Sequence, residues 1–259
     1  MARLLWIFLL YVPMALPQAN GLPSQEALSY DIEWRLITAG KAQMDWSSQD
    51  GRPGWQLHLH LESVGFVSKL FKVEDDYTSR MNESLCAQSA DMKTHEGTRR
   101  RQTSILFDGD RRKAVYEERD LAKNISLGPK EIDIPACVHD VIGGIYFLRT
   151  LRLDPGQSTE VPVSDGKKSV MAKVEAQQRE DLKTPAGVFK TIRYEIYLFN
   201  NVLYRRSAHL HVWLTDDAAR LPVQIRVRMP FTIGTITLAL DKQGLPRAST
   251  SLSSAGESR

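Results

Sequence analysis

The sequence predicts a mainly β protein: an antiparallel sheet, strongly curled or closed into a barrel or half-barrel, with one helix over a side or mouth. Three observations carry this. About a dozen short runs alternate apolar and polar residues, the period of a half-buried strand. Turn pairs such as Asp50-Gly51, Pro53-Gly54, Asp108-Gly109 and Asp165-Gly166 separate the runs at short intervals. Only one segment, 138–151, reads as a convincing helix.

Taken in order, the chain begins with Arg3, the apolar run Leu4–Val12 and the exit Pro13–Asn20. That is the plan of a secretory signal peptide over 1–19, its apolar core shorter than the ~20 residues that span a bilayer. The mature protein is therefore expected to be exported, periplasmic or in the cell envelope, and soluble, with no transmembrane segment. Leu28, Tyr30, Ile32, Trp34 and Leu36 alternate along the first strand; Gly40 turns the chain into a second over 41–48. Trp55–Ser63 alternates strictly, with His58, His60 and Glu62 opposite Leu57, Leu59 and Leu61. Gly65–Lys72 reads as one helical turn carrying Phe66, Leu70 and Phe71. Strands follow over 73–81, 85–95, 98–107 and 113–118, and 122–135 reads as polar and irregular. In the helix, Val141, Ile145 and Leu148 share a face, Asp140 is placed to cap the start, and Gly143 and Gly144 permit close packing on a sheet. Strand signals resume over 159–163, 169–177, 188–199, 203–214, 222–229 and 231–240. The clearest hairpin is Ser207–Met229, two alternating runs around Thr215–Arg220, with Asp217 expected to hold the turn and Arg220 to be its solvated partner. Residues 246–259, rich in Ser, have no apolar period and are expected to form a disordered tail.

With 259 residues, 42% hydrophobic and 25% charged, the chain can bury a full core, and 26–245 reads as a single β-rich domain. A net charge of +3 argues against a dedicated nucleic-acid binder, and the clusters Arg99–Arg101 and Arg111–Lys113 read as solvated strand ends. Export would allow Cys86 and Cys137 to pair in an oxidising compartment.

Candidate chemistry is sparse. His58/His60 and His209/His211 each set two imidazoles on one strand face; if the strands were neighbours, four could converge on a metal and support a metal-dependent hydrolase. The alternative is a polar strand face. No nucleophile elbow, phosphate loop or zinc-protease motif occurs, so the chain is expected not to be an enzyme and to need no cofactor. Strand and helix aromatics, among them Trp34, Tyr146, Phe147 and Trp213, either line an apolar cavity or fill the core. The function these features suggest is binding of a lipid, acyl chain or other amphipathic ligand, or of an envelope partner. A structural role in cell-envelope interaction is the alternative.

Several blocks resemble an exported bacterial family, domain of unknown function 3108. They are Leu28–Trp34 with Ala39–Ala42, Ser63–Phe71 with Val73–Tyr77, Asp140 with Tyr146–Arg149, Thr184–Phe189, and Val212–Val223. Together they cover most of 26–242. The resemblance implies an exported, β-rich fold and brings no catalytic residues. A looser fold-level similarity to lipoprotein-localisation carriers implies a cavity for acyl chains. The His-x-His pairs and cysteines are not part of the resemblance.

Overall fold

A computed structural model describes residues 21–49, 51–232 and 234–245; the expected signal peptide and disordered tail lie outside the described residues. The first half is a meander of β1 (Gln25–Trp34), β2 (Ile37–Ser48), β3 (Trp55–Ser63), β4 (Val73–Met81), β5 (Ala87–Glu96), β6 (Arg99–Asp108), β7 (Lys113–Asp120) and β8 (Ile125–Asp133), with helix α1 (Gly65–Leu70) between β3 and β4. The second half holds β9 (His139–Asp140), helix α2 (Gly143–Leu148), β10 (Ser158–Ser164), β11 (Ser169–Thr184), β12 (Gly187–Ile196), β13 (His209–Thr215), β14 (Pro222–Arg228) and β15 (Thr235–Gly244).

Among the described residues, fifteen strands form one sheet that does not close, in the order β8-β7-β6-β5-β4-β3-β2-β1-β15-β14-β13-β12-β11-β10-β9. Each half pairs with its own sequence neighbours, as hairpin turns favour. The halves join where β1 pairs antiparallel with β15, Trp34 opposite Ile236. One pair departs from the antiparallel expectation: β9 runs parallel to β10, with His139 opposite Val163.

Alternation puts one face of most strands in the core. The main apolar cluster draws on both halves, with Leu28, Trp46, Leu57 and Met81 from the first and Val163, Tyr194, Val212 and Leu214 from the second. Tyr146 and Leu148 of α2 belong to the same cluster. Trp46 stacks on Tyr146 at 4.3 Å and on Trp55 at 4.9 Å, so large flat rings fill the space beside α2. A smaller cluster, including Ile105, Phe107, Tyr116 and Val138, lies over β5–β7.

Two elements differ from the sequence expectation. The helix expected over 138–151 is confined to Gly143–Leu148, because His139 and Asp140 are drawn out to pair with β10; the helical turn expected over 65–72 is α1. The segment 122–135 is not irregular: it contains β8, paired with β7. As an edge strand exposed on nearly every residue, β8 has no buried face to impose alternation.

Candidate functional site

The segment from Val138 to Arg149 crosses the core and is anchored differently at its two ends. At its C-terminal end a buried polar cluster forms. Glu26 lies on β1 at the same parity as Leu28 and Tyr30 and so points inward, and it is buried. Arg149, also buried, donates Nη1 to Glu26 Oε1 at 2.5 Å and Nη2 to the carbonyl of Ala219 at 3.0 Å. The Tyr146 hydroxyl donates to Glu26 Oε1 at 3.0 Å, and the Arg149 guanidinium lies 4.8 Å from the Tyr146 ring centre. Arg220 returns the connection: its Nε donates to the Arg149 carbonyl at 2.8 Å and its Nη2 to the Tyr194 hydroxyl at 2.7 Å. The Tyr30 hydroxyl donates to the Pro222 carbonyl at 2.7 Å. Burial holds the Tyr146 phenol well above its ordinary value, so it stays a neutral donor beside Glu26. A buried ion pair survives only when its remaining hydrogen-bonding capacity is met, and here backbone carbonyls and tyrosines largely meet it.

This cluster corrects one expectation. Arg220 is buried, not a solvated partner of the turn. Asp217 does hold the turn: its Oδ1 accepts from the Thr215 hydroxyl at 2.7 Å and the Arg220 amide at 3.0 Å. The blocks around Tyr30, Tyr146–Arg149 and Thr215–Pro222 thus meet in one place, and what they form is a latch between β1, α2 and the β13–β14 corner.

At its N-terminal end the segment is held by other means. Cys86 and Cys137 are joined in a disulfide, with Cα atoms 5.0 Å apart. The Ala87 amide donates to the Val138 carbonyl at 2.8 Å. Asp140 Oδ2 accepts from the Ser79 hydroxyl at 2.5 Å, and its Oδ1 accepts from the amides of Ile142 and Gly143. Gly143 is tightly enclosed: a Cβ there would lie 2.5 Å from Asp140 Oδ2 and 2.9 Å from Met81 Sδ, so these side chains would have to shift. Gly144 is under no such pressure, its nearest neighbour being His139 Cβ at 4.0 Å. His139 is buried, stacks on Phe147 at 3.8 Å and bonds the Leu85 carbonyl through Nδ1 at 2.8 Å. Burial holds its imidazole below the usual histidine value, against smaller opposing effects of Leu85 and Asp140.

Beside this end the packing opens. A cavity of about 300 Å³ lies between the inner faces of β3–β6 and the segment at Asp140–Ile142, its apolar wall including Leu59, Leu61, Met92, Ile105 and Ile142. Ser79, Asp140 and Ser164 border it with Tyr77 and Tyr204. Burial raises both phenols far above their ordinary values, with neighbouring carboxylates adding to the effect, so they are neutral. A second, almost wholly apolar cavity of about 50 Å³ lies under α2, walled by Phe147, Leu151, Val163 and Leu210, and Val141 borders both.

The expected cavity aromatics divide. Phe147 borders the smaller cavity. Tyr146 is fully buried in the latch, because its hydroxyl is needed by Glu26. Trp213 borders neither of these cavities: it is buried in the main apolar cluster, and its Nε1 donates to Glu180 at 2.7 Å. Trp34 ends β1 beside Arg35, whose guanidinium is 5.5 Å from its ring centre.

The histidine pairs do not converge: β2, β1, β15 and β14 lie between β3 and β13. Each pair faces a carboxylate on an adjacent strand instead. His58 and His60 flank Asp76 at 3.3 and 2.9 Å, and His209 and His211 flank Glu195 at 2.8 and 3.8 Å. Burial acts to raise the Glu195 carboxyl, but the His209 hydrogen bond and the two imidazoles outweigh it and hold the group below its ordinary value. The four-imidazole metal site considered from sequence is thereby removed, and among the described residues no cluster of three or more His, Cys, Asp or Glu side chains is arranged to hold a metal ion.

Comparison with known proteins agrees with this fold. The chain matches the family model for a protein of unknown function, DUF3108, over residues 29–241, and it belongs to that family. No curated protein matches it. Among solved structures it is similar to a beta-barrel-like protein of domain of unknown function DUF1849 from Brucella abortus, with TM-score 0.55 and 8% identity over 86% of this chain and 98% of that one. A Bacteroides fragilis protein with a YmcC-like fold matches at TM-score 0.37 and 8% identity, over 86% of this chain and 97% of that one. A DUF1089 family protein from Pseudomonas aeruginosa matches at TM-score 0.32 and 15% identity, over 83% of this chain and 94% of that one. The Brucella likeness is one of fold alone.

Proposed function

We propose that this is a non-enzymatic, exported, barrel-like protein that holds a small apolar or amphipathic ligand in the cavity beside Asp140. The observation that carries this reading is the cavity: about 300 Å³, at the small end of the range for ligand sites, lined by apolar side chains with hydroxyls and the carboxylates of Asp91, Asp140 and Asp165 among them. The size suits one alkyl chain rather than a diacyl lipid. The polar border combines neutral donors, Tyr77 and Tyr204, with carboxylates that would repel an anionic head, so a hydroxyl or ester head group fits better than a fatty-acid carboxylate.

Curling of the sheet supports the reading. Only residues 134–138 link β8 at one edge to β9 at the other, so the end of β8 at Asp133 lies within about 20 Å of His139 on the opposite edge. Export is supported by the apolar N-terminal run and by the disulfide, which persists in oxidising compartments. Among the described residues no helix is long and apolar enough to cross a membrane.

Native mass spectrometry of the protein recovered from an oxidising envelope compartment tests the proposal. A retained adduct of monoacyl mass, lost in Ala90→Phe, which puts a ring into the cavity, is the expected result. A protein that is free of any adduct and takes up none of a panel of single-chain amphiphiles overturns it.

A further inference from the structure

We propose that one end of the sheet docks onto an anionic lipid-bilayer surface through the β1–β2 turn, the β3–β4 connection and the β14–β15 turn. The proposal does not rest on the cavity. The three connections leave the sheet at the same end: Trp34 pairs with both Ile37 and Ile236, and Ser63 pairs with Gly40. They are also neighbours along it, since β14, β15, β1, β2, β3 and β4 are consecutive in the sheet.

Large apolar side chains project from their tips. Leu36 is 93% exposed and Phe231 94%. Phe66, Leu70 and Phe71 of the β3–β4 connection are exposed, and α1 contributes no buried residue at all. A helix with no fully buried residue, only Val67 among its apolar side chains being half-buried, gains little stability from them in water, so another apolar phase is what the exposed ones fit. The tips are nevertheless held in place. The Arg35 amide donates to the Thr235 carbonyl at 3.2 Å, and its guanidinium donates to the carbonyls of Phe231 and Thr232 at 2.7 and 2.6 Å. The Val64 amide donates to the Ala39 carbonyl at 3.0 Å, and the Phe71 ring lies against Gly97, where a Cβ would approach it to 2.8 Å.

The charge of these connections selects the surface. Residues 34–37, 64–72 and 228–235 carry Arg35, Lys69, Lys72 and Arg228 and no Asp or Glu. Strand residues Glu33, Glu62 and Glu74 border them; Glu62 lies opposite Lys41, and Glu74 is paired with Lys72 at 2.6 Å. Apolar side chains flanked by cations, on separate projecting tips, match an interface whose head groups are negative and whose interior is apolar. A receptor protein would instead be expected to present pockets to each tip.

Co-flotation of the full chain with vesicles tests this, comparing phosphatidylcholine alone with phosphatidylcholine plus phosphatidylglycerol at low and high salt. Expected are several-fold stronger partitioning onto the anionic vesicles, weakening with salt, and a loss of at least about ten-fold in the double variant Leu36→Ser/Phe231→Ser. Val188→Ser, which removes an exposed apolar side chain at the opposite end of the sheet, should behave as wild type. Absence of flotation with anionic vesicles at low salt overturns the proposal. So does equal binding by the double variant, or an equal loss in Val188→Ser.

Discussion

The two ends of the Val138–Arg149 segment are built on opposite principles. The Arg149 end is filled and ionic: Glu26, Arg149, Arg220 and three tyrosines close on one another and on backbone carbonyls. The Asp140 end is tethered covalently and by hydroxyls, and it borders a cavity. The residues of the family resemblance occur at both ends: Tyr30, Tyr146–Arg149 and Thr215–Pro222 build the filled end, and Asp140 and Tyr77 border the cavity, whose apolar wall at Leu59, Met92 and Ile105 is ordinary strand sequence. The difference teaches that one short segment can be fixed by a buried ionic cluster at one end and by a disulfide and hydroxyls at the other, with the cavity beside the second.

The contrast can be broken most sharply at Arg149. Arg149→Ala leaves Glu26 buried without its cation and should cost about 3–5 kcal/mol, read by urea unfolding. The double change Glu26→Gln/Arg149→Met should recover much of that loss, because the charge is removed with its partner. At the other end, Cys86→Ala/Cys137→Ala opens a loop closed across 51 residues of sequence and should cost about 2–4 kcal/mol in the same measurement. Next in size is a pair of glycine changes. Gly143→Ala drives a methyl into Asp140 and Met81 and should destabilise by about 1–3 kcal/mol, while Gly144→Ala should be neutral or stabilising by up to about 1 kcal/mol.

The smallest expected effect is on pH dependence. His139 binds its proton less readily in the folded protein than in the unfolded chain, because burial lowers its value. Its contribution is therefore complete above the unfolded value of about 6.5 and is lost as pH falls below it, with a slope of at most about 1.4 kcal/mol per pH unit from this group. His211, lowered chiefly by burial, acts in the same direction. Glu195, held low, adds a loss further down as pH falls through the carboxylate range. Stability measured between pH 7 and 5 should decline, and less steeply in His139→Gln.

Much of the fold was legible in the sequence because half-buried strands must alternate. Trp55–Ser63 and the hairpin around Thr215–Arg220 show their faces directly. β8 was hidden because neither of its faces is buried, and α2 was overextended because the pairing of His139 with Val163 is a contact between distant residues that no local period reports. The latch left one readable sign: Glu26 sits in phase with Leu28 and Tyr30, so a carboxylate is carried inward. Arg220 carried none, as its burial depends on Arg149 and Tyr194 arriving from other strands and helices. The cavity was not legible, since Leu59, Met92 and Ile105 read alike whether they pack against a neighbour or face a space.

The most direct test of the ligand-binding reading is calorimetric titration of the protein with monodecanoylglycerol, in parallel for wild type and Ala90→Phe. Saturable binding with a negative heat-capacity change, abolished in the variant while its unfolding midpoint stays near that of wild type, is the predicted result. Equal binding by both proteins, or no binding by either, would contradict it.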